Sequence, residues 1–166
     1  NILVGATSND NLNRKLIAGT ITALNGNVRL NADDGIDSAN TNSIVRGRSV
    51  ELAALSGHIG SLAQPLLVDS SNSGAGGVSV WAKNDIFLTE TTGDLWLIAP
   101  LHVDTLLPVP TTRTATASVQ SDLGQVVLES RSGSILDGIA EIAPGGLGQN
   151  PAGVNRIQNA FIANAI

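Results

Sequence analysis

The fold class is decided by residues 26–36, which read GNVRLNADDGI. A turn precedes two apolar residues at alternate positions, Val28 and Leu30, and a third apolar residue, Ile36, follows after a second turn. Alternation with a period of two is the pattern of a β-strand with one buried face. The stretch therefore predicts a short strand, a turn and the start of a second strand.

The same motif recurs four more times, and its third apolar residue always follows the first by eight or nine residues. The further copies occupy residues 48–59, 76–86, 93–103 and 124–135. The motif is constant while the connections vary in length, which is typical of a solenoid with loops inserted between its strands. The predicted inward ladders are Val28-Val50-Val78-Leu95-Val126, Leu30-Leu52-Val80-Leu97-Leu128 and Ile36-Ile59-Ile86-Val103-Ile135.

Three segments follow from the distribution of the motif. We expect residues 1–18 to form an N-terminal cap or a preceding coil, residues 19–143 to form parallel β-helix coils, and residues 144–166 to form a C-terminal cap or linker. The last segment could be a capping helix or the first strand of another coil. Because the chain contains no Met and begins with Asn1, we expect it to be part of a longer polypeptide.

Composition excludes several classes of protein. The chain has 166 residues, of which 42% are hydrophobic but only 2% aromatic, so the core must be built from aliphatic side chains. The absence of Cys excludes a disulfide scaffold, a Cys-ligated metal and a Cys nucleophile. A net charge of −5 with nine basic residues provides no footprint for nucleic acid. No apolar run approaches the roughly 20 residues of a spanning helix, so we expect no membrane insertion.

The repeats resemble those of filamentous-haemagglutinin-like adhesins and related giant repeat exoproteins of bacterial surfaces. The phrases that carry the resemblance are GHIG at 57–60, PLLVD at 65–69, LTET at 88–91 and GSILD at 133–137. The resemblance implies a right-handed parallel β-helix that is extracellular or attached to the cell surface. We therefore expect an all-β solenoid of about five to six coils with variable inserted loops.

This fold predicts a non-catalytic structural segment, such as an adhesin stalk or a unit of an extracellular fibre that mediates adhesion or assembly. The expected partners are further copies of the chain or the rest of a longer parent chain, with host or matrix glycans as a further possibility. No cofactor is expected. The alternative is a carbohydrate-active β-helix protein, either a polysaccharide lyase or hydrolase or a sugar-binding module. A hydrolase would need two carboxylates that converge in an outer groove.

Acidic residues supply the weak candidates for a metal site. Asp33, Asp34 and Asp37 cluster in one turn and could present oxygen ligands to a cation. The competing interpretation is a solvated turn in which Asp side chains accept hydrogen bonds from the backbone. We favour the turn, and we predict no metal site.

The aromatic residues supply the candidates for a binding or assembly surface. Alternation places Trp96 and Phe87 on the outward side of their strands, and Trp81 on the outer side or at a corner. Phe161 lies in the apolar C-terminal tail. An exposed apolar patch usually has a role. These side chains could be covered by the insertion 104–123, contact a neighbouring subunit or domain, or stack on a sugar ring.

Overall fold

The computed structural model describes residues 1–6, 14–70, 76–100 and 118–138, and the backbone of 161–163. All regular elements in these residues are β-strands, and none of them is a helix. The strands are β1 (Ile2–Ala6), β2 (Leu16–Ala18), β3 (Ile21–Thr22), β4 (Val28–Ala32), β5 (Ile36–Ser38), β6 (Ile44–Arg46), β7 (Val50–Ala54), β8 (Leu66–Asp69), β9 (Val78–Ala82), β10 (Ile86–Glu90), β11 (Leu95–Leu97), β12 (Val119–Ser121), β13 (Val126–Ser130), β14 (Ile135–Asp137) and β15 (Phe161–Ala163).

The strands form three parallel sheets. Sheet A has the order β1-β4-β7-β9-β11-β14, and β12 joins it beside β9 and carries β15. Sheet B has the order β13-β10-β8-β6-β3, and β2 pairs with β5 in a third sheet. The chain therefore leaves sheet A, crosses the other sheets and returns to sheet A beside its previous strand; we call each such run a passage. The predicted all-β class with stacked parallel strands is confirmed.

The predicted ladders are confirmed for the first three copies of the motif. The aligned residues pair in register, and each of their side chains is fully buried. These ladders are Val28-Val50-Val78, Leu30-Leu52-Val80 and Ile36-Ile59-Ile86. The apolar residue at each position therefore packs on its equivalent in the next passage, and the core is a set of aliphatic columns.

The prediction is wrong for the last two copies. Leu97, not Leu95, pairs with Val78, and Leu95 pairs with Ile135. Val126 pairs with Ile86 in sheet B rather than with a strand of sheet A. The reason is that the same spacing of apolar residues occurs in strands of sheet A and in strands of sheet B. The motif therefore does not identify the sheet to which a strand belongs. The predicted ladder member Val103 lies outside the described residues.

The register of sheet A also locates two long insertions. Leu97 pairs with Val78 and Val119 pairs with Val80, so residues 98–118 stand where the earlier passage has Ser79 alone. Asp137 pairs with Leu97 and Phe161 pairs with Val119, so residues 138–160 are inserted at the same position one passage later. Phe161–Ala163 is thus a strand of sheet A.

Glycine in several of the turns that precede a strand is required by the neighbouring passage. A Cβ on Gly57 would collide with the backbone and carboxylate of Asp34. A Cβ on Gly124 or Gly133 would meet the equivalent turn below it, at Asp85 and Asp94 respectively. The turns therefore stack as closely as the strands do, and a side chain at these positions would force adjacent passages apart.

Substitution Gly57→Ala should destabilise the fold by about 1–3 kcal/mol, because the added methyl group overlaps backbone atoms that cannot rotate away. Gly19→Ala is the matched control, since nothing lies within 4 Å of a Cβ at that position; its effect should stay within about 0.5 kcal/mol. Urea denaturation of both variants measures the difference. Equal stability of the two variants would contradict the stacking of the turns.

Candidate functional site

The aromatic side chains predicted to form one exposed surface differ in their exposure. Trp96 on β11 is 40% exposed, whereas Trp81 is 2% exposed and Phe87 is 6% exposed. Trp81 and Phe87 therefore do not share an exposed surface with Trp96. The side chain of Phe161 lies outside what the structure describes, although its backbone pairs with Val119.

Trp96 lies on the outward side of sheet A with apolar neighbours. It pairs with Leu136 of the next passage, and Gly77 lies beside it in the previous one, where a Cβ would come within 2.5 Å of the Trp96 carbonyl oxygen. A Cβ on Gly138 would lie 3.4 Å from Trp96 Cε3 and 3.0 Å from Ile98 Cγ2. We call Trp96, Ile98 and Leu136 the Trp96 patch. The bare glycine positions on both sides leave the indole ring accessible.

Trp81 and Phe87 point outward but are buried. Trp81 pairs with Ala53 and Gln120 on the outer face of sheet A, and Ala53 is itself only 2% exposed. Phe87 pairs with Val127. The indole nitrogen Nε1 of Trp81 is buried and has no hydrogen-bond partner among the residues that the structure describes. Neither side chain belongs to the apolar core cluster, and the outer face on which alternation places them is covered at these two positions.

The acidic turn that contains Asp33, Asp34 and Asp37 contacts the neighbouring passages. The carboxylate of Asp37 contacts His58 Nε2 at 3.0 Å and Lys15 Nζ at 3.0 Å. The Asp33 carbonyl oxygen accepts a hydrogen bond from Ser56 Oγ at 2.7 Å, and Asp34 packs on Gly57. Among the described residues, no three His, Cys, Asp or Glu side chains are grouped to hold a metal ion. These contacts join three successive passages.

Two other carboxylates tie successive turns together. Asp85 Oδ1 accepts a hydrogen bond from the backbone N–H of Gln125 at 2.9 Å. Asp94 Oδ1 accepts one from the backbone N–H of Ser134 at 2.7 Å. Each carboxylate thus bonds to the turn of the next passage, as Asp side chains in turns commonly bond to the backbone. Their geometry supports a structural role.

Glu90 is a buried carboxylate that the sequence analysis did not single out. It pairs with Val68 in sheet B and is fully buried. The backbone N–H of Ser70 donates to its two oxygens at 3.1 and 3.2 Å, and Ser70 Oγ donates as well. The available signal was alternation, because Ile86 and Leu88 point inward and Glu90 is the next residue in the same phase.

The environment of Glu90 changes its acidity. Burial raises the pKa of the carboxyl above its usual value of 4.5, because the charged form loses its hydration. Hydrogen bonds from Ser70 and from the backbone of Thr92 act in the opposite direction, and the nearby charge of Asp69 adds to the increase. The folded chain therefore binds this proton more tightly than the unfolded chain does.

Comparison with known proteins assigns neither a family nor a function to the chain. No family model, curated protein or solved structure matches the chain. In the part of the chain that the structure describes, there is no helix of the length and apolar character needed to cross a membrane. The function must therefore be argued from geometry.

Substitution Glu90→Gln should change how stability depends on pH. Because the pKa of Glu90 is raised in the folded state, its contribution to stability is full below the unfolded pKa and is lost as the pH rises through the folded pKa. The free energy of unfolding of the wild type, relative to Glu90→Gln, should therefore fall as the pH rises above the unfolded pKa of about 4.3. Urea denaturation across this range measures it. A difference that stays constant with pH, or that grows, would contradict this environment.

Proposed function

We propose that the chain is a non-catalytic structural segment of a secreted or surface-attached bacterial exoprotein, either a stalk or a fibre unit that mediates adhesion or assembly. The observation that carries this proposal is the continuity of the sheet A ladder through six successive rungs, Ile2-Val28-Val50-Val78-Leu97-Asp137. A ladder of this kind gains about 4.8 Å of length with each rung. Length is the property that a stalk or fibre requires.

The proposed fine fold is a closed, right-handed parallel β-helix of five to six coils. The six rungs of sheet A support the number of coils. Crossovers between parallel strands of one sheet are right-handed in nearly all proteins, which supports the handedness. The hydrogen bonds from Asp85 and Asp94 to the next passage support a stack in which turns as well as strands are in contact.

A structural role is also supported by what the polar side chains do. Asp85 and Asp94 bond to neighbouring backbone, and Asp37 bonds to His58 and Lys15. Glu90 is enclosed and bonded to Ser70. In the described residues these carboxylates connect one passage to the next, which is the work of a scaffold rather than of an acid and base at a substrate.

Duplication of one whole passage tests the scaffold proposal. Val50 and Val78 are equivalent rungs, so a second copy of residues 50–77 inserted after Gly77 keeps every column in phase. We expect one cooperative thermal transition with a Tm no lower than that of the wild type, because each repeat is stabilised by its neighbours.

The matched control inserts the same segment without Glu51, which lies inside β7. Val50 and Leu52 are then adjacent in the strand and cannot both point inward, so the Tm of this variant should fall. A phase-independent result, in which the two insertions have the same effect on Tm, would overturn the scaffold proposal.

A second candidate function, sugar binding, is favoured by the exposure of Trp96. An accessible indole with apolar neighbours offers a platform for the apolar face of a sugar ring. If the Trp96 patch acts in this way, wild-type chain should bind on a glycan array and Trp96→Ala should lose at least about ten-fold of that binding, a loss of about 1.4 kcal/mol. Leu62→Ala, which changes another exposed side chain, is the control. Binding that is unchanged in Trp96→Ala would remove this candidate.

A further inference from the structure

The corners at which the first two passages leave sheet B are each held by a backbone hydrogen bond to the next passage. Ala23, which follows β3, donates its N–H to the Arg46 carbonyl at 2.9 Å. Gly47, which follows β6, donates its N–H to the Asp69 carbonyl at 3.0 Å. These bonds extend the parallel ladder by one residue beyond its strands. Both acceptors are peptide carbonyl groups, which do not titrate.

The third corner, at Ser70, uses a different acceptor. Ser70 follows β8 as Gly47 follows β6, because Asp69 pairs with Arg46. The N–H of Ser70 donates to the two carboxyl oxygens of Glu90 at 3.2 and 3.1 Å, and the Ser70 hydroxyl bonds to Oε2 of the same carboxyl. At this corner a titratable side chain therefore takes the place of a backbone carbonyl.

The carboxyl of Glu90 lies inside the stack between uncharged neighbours. Glu90 pairs with Val68 on one side and with Ser130 on the other, and its side chain is fully buried. An ionised carboxylate in such a place loses its hydration and depends on the donors around it. These donors are Ser70 and the backbone of Thr92, and burial outweighs them, so the pKa of Glu90 is raised. Ionisation of Glu90 therefore favours any opening of the corner that lets water reach the carboxylate.

Other charged groups lie close to this corner on the strands beside β10. Asp69 contacts Arg46 Nε at 3.6 Å, and the charge of Asp69 opposes the ionisation of Glu90. On β13, Glu129 is exposed, and Arg131 donates its backbone N–H to the Glu90 carbonyl at 3.0 Å. All of these groups are retained in a Glu90→Gln variant, so a comparison with that variant isolates the titration of Glu90.

We propose that Glu90 and Ser70 form a proton-dependent latch, which holds the corner after β8 closed when Glu90 is protonated and lets it open locally when Glu90 is ionised. A serine hydroxyl can donate to a carboxylate or accept from a carboxylic acid, so the closed corner accommodates both protonation states. The ionised carboxylate gains hydration on opening, whereas the protonated one gains little, so rising pH shifts the balance toward the open corner. The latch is a property of this corner and does not depend on the proposed function.

Amide hydrogen exchange, followed by NMR at several pH values, tests the latch. Dividing the exchange rate of the Ser70 amide in the wild type by its rate in Glu90→Gln removes the intrinsic pH dependence of exchange. This ratio should rise by up to about ten-fold for each pH unit above about 4.3, until Glu90 of the folded chain has titrated. A ratio that is constant or that falls with pH overturns the proposal.

The dependence of exchange on urea distinguishes local opening from unfolding of the whole chain. The amide of Val28, which donates to the Ser49 carbonyl at 2.8 Å in sheet A, serves as the reference. Local opening exposes little surface, so exchange at Ser70 should respond weakly to low urea concentrations, whereas exchange at Val28 should rise steeply. An equally steep response at Ser70 would mean that the corner opens only when the chain unfolds, and the latch would be refuted.

A second variant tests the serine side of the latch. Ser70→Ala removes the hydroxyl contact with Glu90, and the amide of residue 70, corrected for its intrinsic rate, should exchange about ten-fold faster. Ser38→Ala is the matched control, because the Ser38 hydroxyl is buried and has no hydrogen-bond partner among the described residues. Equal exchange at residue 70 in the two variants contradicts the latch. None of these outcomes bears on the duplication of residues 50–77, so the scaffold function is judged separately.

Discussion

The structure depends on one constraint: every residue of a passage must fit the equivalent residue of the passages on either side. Parallel strands about 4.8 Å apart leave no room for mismatch along a column. The columns are therefore filled with Val, Leu, Ile and Ala, as in Val28-Val50-Val78. The turns obey the same rule, since Gly57 is bare where Asp34 lies against it. The connections between strands can vary in length because their residues do not occupy positions in the columns.

The alternation of apolar residues predicted the strands and most of the core. It could not identify the sheet to which each copy of the motif belongs. The Val28, Val50 and Val78 copies were aligned correctly because the intervening passages are complete. The predicted alignment of Leu95 and Val126 is wrong because strands of sheet A and strands of sheet B have the same spacing of apolar residues. In addition, residues 98–118 are inserted within sheet A. Pairing across passages is a non-local property, and it is not encoded in the spacing of a single motif.

Of the aromatic side chains that alternation places on the outer face, Trp96 is exposed, whereas Trp81 and Phe87 are buried. Alternation reports the side of a strand on which a residue lies, and burial depends on what packs over that side. The same rule applied more strictly would have found Glu90, which follows Ile86 and Leu88 in the inward phase.

The interior changes character along the stack. The inward residues of β4 and β7 in sheet A are aliphatic, whereas Glu90, Ser121 and Ser130 bring polar groups inward and each bonds to a neighbouring turn. A polar rung is satisfied only by particular partners, so the later rungs specify the register of the stack. An aliphatic rung accepts any rung of similar size and therefore contributes burial without selecting its neighbour. Aliphatic and polar rungs therefore contribute differently to the fold: the first supply buried apolar surface, and the second fix which passages are neighbours.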